Sequence, residues 1–88
     1  MYLFVVGSAQ DFQKAKTLVG ARIRRQRKKL GINQEDLATK ALVDRKHMSS
    51  IENGKTETGF WTLTRIASVL ETTPGKLVRG LTRDPDGE

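Results

Sequence analysis

Between Asn33 and Gly54 the chain has room for two short helices and almost nothing else, which narrows what it can fold into. Asn33-Gln34-Glu35-Asp36 reads as a helix start, because an Asn side chain can accept from first-turn amides and early acids suit the helix dipole. Leu37, Ala38 and either Ala41 or Leu42 supply the buried side of a helix of about two turns. Leu42 and Val43 alone separate it from Asp44. Asp44 is a second cap, opening a helix from Arg45 to Glu52 with Met48 and Ile51 facing inward. Asn53-Gly54 ends that helix.

The flanking segments are helical as well. Over residues 16–30, Val19, Ile23, Arg27 and Leu30 recur at helical spacing among Arg, Lys and Gln, and Gly31 suits a left-handed stop. A fourth helix is expected over Phe60–Leu70, with Leu63, Ile66, Ala67 and Leu70 on one stripe. Phe60 and Trp61 at its start are candidates for core, dimer contact or nucleic-acid backbone contact, and core is the expectation. Thr73-Pro74 starts a fifth helix, with Thr as the cap and Pro where no amide is missed. Its apolar residues are Leu77, Val78 and Leu81. Residues 1–15 do not continue the pattern. Tyr2-Leu3-Phe4-Val5-Val6 favours a strand, so this N-terminal extension is read as a strand pairing with its copy, a segment covering the core, or a flexible arm. Residues 82–88 contain Asp, Pro and Gly and no large apolar side chain, which suggests a disordered tail. The expected class is all-α, with one five-helix domain over residues 16–81.

Composition removes several functions. Eighty-eight residues suit one domain with a modest core. There is no cysteine, hence no disulfide, thiolate zinc site or cysteine nucleophile. A single histidine, His47, has no second ligand at useful spacing, so no metal and no cofactor is expected. No apolar run approaches the roughly 20 residues needed to span a bilayer, and Met1–Val6 is too short for a secretory signal, so the expected compartment is the cytoplasm. The net charge of +6 is concentrated: residues 16–55 hold eleven Lys or Arg against four acids, while the rest is close to balanced. A basic segment beside a neutral one marks a surface for a polyanion, or simply a solvated helix.

Arg27 lies on the inward stripe of the first helix, and Glu52 follows the inward Ile51. A lone buried charge costs several kcal/mol, so each needs a partner. Both could point to water, but their spacing favours a pair that locks the first helix to the third. The second and third helices, with so short a connection, have the proportions of a helix-turn-helix. Here the chain resembles the phage-repressor-like helix-turn-helix family (Cro/C1-type, or Xre-type). The resemblance runs over residues 18–78 and rests on Ile23-Arg24, Arg27, Gly31-Ile32-Asn33-Gln34-Glu35-Asp36-Leu37-Ala38, Met48-Ser49-Ser50-Ile51-Glu52-Asn53-Gly54, Leu63, Ile66-Ala67 and Leu70. It implies a compact five-helix lambda-repressor-like domain. Two departures stand out. Leu42 occupies the turn where the family usually has Gly, so either the turn is built differently or Leu42 fills a gap in the core. The loop Lys55–Gly59 also lacks the usual proline.

The resemblance implies roles for particular residues. Arg45, Lys46, Ser49 and Ser50 would face bases in the major groove, with Lys46 equally suited to a phosphate. Gln34 would hold a phosphate at the start of the second helix, as would Arg24 from the basic run, with Asn53 and Lys55 touching the backbone where the third helix leaves the groove. His47 is a phosphate contact or an ordinary surface residue. Two copies on a palindromic operator would place their reading helices roughly 34 Å apart, with Leu77, Val78 and Leu81 as the dimer interface. The expected function is a transcriptional regulator, as a repressor, bound to double-stranded DNA as a homodimer. The alternative is an antitoxin-type protein that also binds a toxin or another regulatory protein. An RNA binder fits less well, since no aromatic stacking platform is evident, and an enzyme least, since no nucleophile–base pair or phosphate-cradling Gly loop stands at suggestive spacing.

Overall fold

Side-chain caps set three of the five helix starts. In the computed structural model, which describes residues 9–81, the chain forms α1 (Ala9–Lys29), α2 (Gln34–Lys40), α3 (Arg45–Glu52), α4 (Phe60–Val69) and α5 (Pro74–Leu77). Asn33 Oδ1 accepts from the Asp36 amide at 2.7 Å. Asp44 Oδ2 accepts from the amides of Lys46 and His47 at 3.0 and 3.3 Å. Thr73 Oγ1 accepts from the Lys76 amide at 3.2 Å, with Pro74 in the first turn of α5. Each cap satisfies donors that a helix N-terminus leaves open.

The first four helices all stop in one way. After each, a residue in the left-handed region turns the chain, and the following amide reaches back to a carbonyl five residues earlier: Ile32 to Arg27, Val43 to Ala38, Lys55 to Ser50, Thr72 to Ala67. Gly31 and Gly54 take the turn after α1 and α3, but Leu42 (φ 58°) and Glu71 (φ 59°) take it after α2 and α4. The turn between α2 and α3 is therefore not rebuilt around Leu42, and Leu42 does not fill the core. It is 78% exposed, while Ala41 is fully buried.

The core gathers one stripe from each helix: Ile23 from α1, Leu37 and Ala38 from α2, Met48 and Ile51 from α3, Leu63, Ile66 and Ala67 from α4, and Leu77 from α5. α1 begins seven residues before residue 16, so residues 9–15 belong to the first helix rather than to an N-terminal extension. Ala, Gln and Lys there favour helix, and Gln13 Nε2 fastens this turn to the Gly54 carbonyl at 2.9 Å. The strand proposed for residues 2–6 and the tail 82–88 lie outside the described residues. Two further expectations are corrected. Phe60 and Trp61 are 64% and 73% exposed: Trp61 falls off the inward stripe, and Phe60 sits a turn ahead of Leu63. They contact each other edge to face at 5.1 Å between ring centroids. Leu77 and Leu81, expected at a dimer surface, are each 3% exposed within the single chain, because Leu77 at the end of the one-turn α5 and Leu81 just beyond it both fold inward.

α1 is tied to α3 in two ways. Gly20 lies so close to the end of α3 that an added Cβ would stand 2.6 Å from the Glu52 carbonyl oxygen. Beside it, Arg27 donates from Nε to Glu52 Oε2 at 2.8 Å and from Nη2 to Oε1 at 3.0 Å. The Glu52 side chain is fully buried and that of Arg27 is 11% exposed. Arg27 Nη1 also reaches the Ile32 carbonyl at 3.1 Å, which fixes the α1–α2 corner.

These contacts predict three outcomes, each read from urea unfolding of the purified protein. Glu52→Gln strands the Arg27 charge and lowers stability by about 3–5 kcal/mol; a loss under about 1 kcal/mol, the level of a surface pair, would remove the pair's role. Gly20→Ala lowers stability by about 1–3 kcal/mol through overpacking, despite alanine's better helix propensity. Leu42→Gly raises it by about 0.5–1 kcal/mol, since left-handed strain is relieved and little burial is lost.

Candidate nucleic-acid interface

With Met48, Ile51 and Glu52 committed to the interior, the opposite side of α3 is left outward. Ser49 and Ser50 lie three and four residues after Lys46, Asn53 lies four and three after them, and the four form its crest. Lys46 and Asn53 are exposed and the two serines half-buried. Arg45 and His47 flank the crest in the first turn, both exposed. Asp44 holds the amides of Lys46 and His47, so the end of α3 that carries the cations is a fixed turn.

The neighbouring helices add side chains to this face. Arg24, on α1, donates from Nη2 to Asn53 Oδ1 at 2.6 Å and from Nε to Glu52 Oε1 at 3.4 Å. Asn53 Nδ2 in turn reaches Ser49 Oγ at 3.5 Å. Gln34, the first residue of α2, donates from Nε2 to Glu52 Oε1 at 3.2 Å. The buried Glu52 carboxylate thus collects Arg24, Arg27 and Gln34 and fixes two of them at the edge of the α3 crest. Lys55 stands exposed just past α3, its amide bound to the Ser50 carbonyl at 2.9 Å.

The structure therefore brings Arg24, Gln34, Arg45, Lys46, His47, Ser49, Ser50, Asn53 and Lys55 to one side of the molecule around α3. Leu77, Val78 and Leu81 lie elsewhere, beside α5. The sequence pairs Glu52 with Arg27 alone; that Arg24 and Gln34, expected only as phosphate contacts, also bond Glu52 was not foreseen. The signal was available: Arg24 sits one turn before Arg27 on α1, and Asn53 directly follows Glu52. An array of cations, amides and hydroxyls on a helix held by its own core can donate to phosphates and to base edges. No group of His, Asp and Glu among the described residues could hold a metal ion, and no helix of the described residues is long and apolar enough to cross a membrane.

Comparison with known proteins agrees with this geometry. A helix-turn-helix family model matches residues 23–77. The P22 c2 repressor, solved with a synthetic operator, is 35% identical, with a TM-score of 0.67 over 72% of this chain and 96% of that one. The N-terminal DNA-binding domain of SinR from Bacillus subtilis is 31% identical, with a TM-score of 0.67 over 69% of this chain and 90% of that one. The restriction-modification controller protein C.AhdI from Aeromonas hydrophila is 26% identical, with a TM-score of 0.66 over 80% of this chain and 98% of that one. No curated protein sequence matches the chain significantly. With all five helices and the buried ion pair in place, the chain belongs to the Cro/C1-type helix-turn-helix family of DNA-binding transcription regulators.

Proposed function

We propose that this protein is a sequence-specific repressor that binds double-stranded DNA as a homodimer on a palindromic operator in the cytoplasm. The observation that carries the reading is the outward crest of α3, cationic at its N-terminal end and locked from behind through Glu52. Arg45 and Lys46 read base edges from the first turn of α3, where an Arg or Lys bidentate to guanine discriminates by about 1–3 kcal/mol. Ser49 and Ser50 approach bases further along, with less selectivity because a hydroxyl suits several partners. Gln34, Arg24, His47, Asn53 and Lys55 hold phosphates. Gln34 can do so while keeping Glu52, because its amide has two hydrogens and one is in use. Counterion release from these contacts supplies most of the raw affinity and makes binding steeply salt-dependent.

One short helix makes few base contacts, so tight binding calls for two copies about 34 Å apart along the duplex. Of the three residues first expected at the dimer interface, only Val78 is even partly exposed. It borders an apolar groove of about 250 Å³ with Phe12, Ala15 and Val19, and Phe12 is 57% exposed. This groove is where the second copy packs.

Fluorescence anisotropy on a duplex selected from a palindromic library tests the DNA reading. Arg45→Ala weakens the selected duplex about 5- to 150-fold and relaxes preference at one base pair. Gln34→Ala weakens all duplexes alike. Salt-insensitive or absent binding overturns the reading. Phe12→Glu converts the dimer to monomer in sedimentation at micromolar protein, and an unaltered mass assigns the dimer contact elsewhere.

A further inference from the structure

The basic residues of α1 face two ways. Arg24 and Arg27 turn toward Glu52. Arg22 and Arg25, each two residues earlier and so about 200° around the helix, line a separate cleft against the α4–α5 corner. The cleft holds about 280 Å³. Arg22, Arg25 and Gln26 form one wall, and Thr72, Lys76 and Arg79 the other. Four cations meet there, and among the described residues no carboxylate lines it.

Arg22 is built in rather than solvated. Its Nη1 donates to the carbonyls of Leu77 and Arg79 at 3.0 and 2.8 Å, which fixes the guanidinium on the last turn of the fold. Its Nε and Nη2 donate to none of the described residues. Burial, with repulsion from Arg25 and Arg79, holds its pKa below the ordinary arginine value. Arg25, Lys76 and Arg79 make no ion pair among the described residues. Gln26, anchored on the Leu70 carbonyl at 2.9 Å, and Thr72 add neutral polar atoms. Crowded like charges with unspent donors in a concave site favour an anion that accepts from several of them at once.

We propose that this cleft binds a compact, multiply charged phosphate group, such as the diphosphate of a small metabolite. The volume lies just under the usual range for small-molecule pockets, about 300–1,000 Å³, and admits a diphosphate. Guanidinium forks match phosphate oxygens in geometry as well as charge. The site stands on the side of α1 away from α3, so it leaves the DNA-facing crest open. It joins α1 to α5, next to Val78 at the groove assigned to the second copy.

The phosphate could come from a free metabolite or from the DNA backbone, and two titrations separate these sources. In the first, the full-length protein is titrated with inorganic pyrophosphate at constant ionic strength, followed by amide chemical shifts and calorimetry, without DNA. Saturable binding is expected, with shifts centred on Gln26, Thr72, Lys76 and Arg79. The double variant Arg25→Gln/Lys76→Gln weakens it about tenfold or more. Both side chains are exposed, and an unchanged urea midpoint checks the fold. In the second, the same variant binds the selected duplex with unchanged affinity. Unsaturable shifts, shifts centred on Arg45, Lys46 and Lys55, or pyrophosphate binding insensitive to the double variant overturn the proposal. A tenfold loss of duplex affinity in the variant also overturns it, by assigning these cations to the DNA backbone. Because the pyrophosphate titration contains no DNA, its failure is distinct from failure of the operator reading.

Discussion

The Glu52 carboxylate is fully buried and accepts from three side chains on two other helices. An ionised carboxylate left bare at that depth would cost several kcal/mol, so its position is tolerable only while Arg27 and Gln34 are in place. Moving α3 relative to α1 would strand both a carboxylate and a guanidinium. The apolar stripes of the helices attract them into one core without fixing their register, because hydrophobic attraction is not directional. The bidentate Arg27–Glu52 geometry is directional, and it sets how α3 is presented. Gly20 lets α1 come close enough for that geometry to form.

This arrangement links stability to function through shared side chains. Arg24, Gln34 and Asn53 belong both to the bonds around Glu52 and to the outward edge of α3. A ligand that draws on them meets groups already ordered by the fold, so less side-chain entropy is lost on binding. On the crest of α3, Lys46 stands exposed.

Charge is divided by helical geometry rather than spread evenly. The basic run on α1 supplies two arginines to the α3 side and two to the α5 side, an alternation that follows from the 3.6-residue period. The two sides differ in their counter-charge. Toward α3 the cations meet the Glu52 carboxylate. Toward α5, Arg22 donates to the carbonyl oxygens of Leu77 and Arg79, and neither Arg22 nor Arg25 makes an ion pair among the described residues. The same excess of positive charge therefore does structural work on one face and stays available on the other.

Local chemistry fixed what was readable in advance. Asn33, Asp44 and Thr73 cap helices through bonds spanning two or three residues, so the starts of α2, α3 and α5 follow from adjacent side chains. The inward stripes of α3 and α4, and the pairing of Arg27 with Glu52, follow from helical period and the cost of burying charge. Other features depended on long-range packing. Residues 9–15, which join α1, are tied to the rest of the fold by Gln13 meeting the Gly54 carbonyl, 41 positions away. Leu42 keeps a left-handed conformation because the segments on both sides are anchored, Val43 to the Ala38 carbonyl and Ala41 to Arg65 Nε at 2.9 Å. The sequence by itself determined the starts of α2, α3 and α5, the stripes Met48–Ile51 and Leu63–Ile66–Ala67, and the pairing of Arg27 with Glu52, since these rest on contacts within a few residues or on a rule of burial. Only the tertiary structure decided that Leu77 and Leu81 close the core while Phe60 and Trp61 remain outside. Which of several apolar residues is covered depends on where the elements end relative to one another, and that distance is not written in any local pattern.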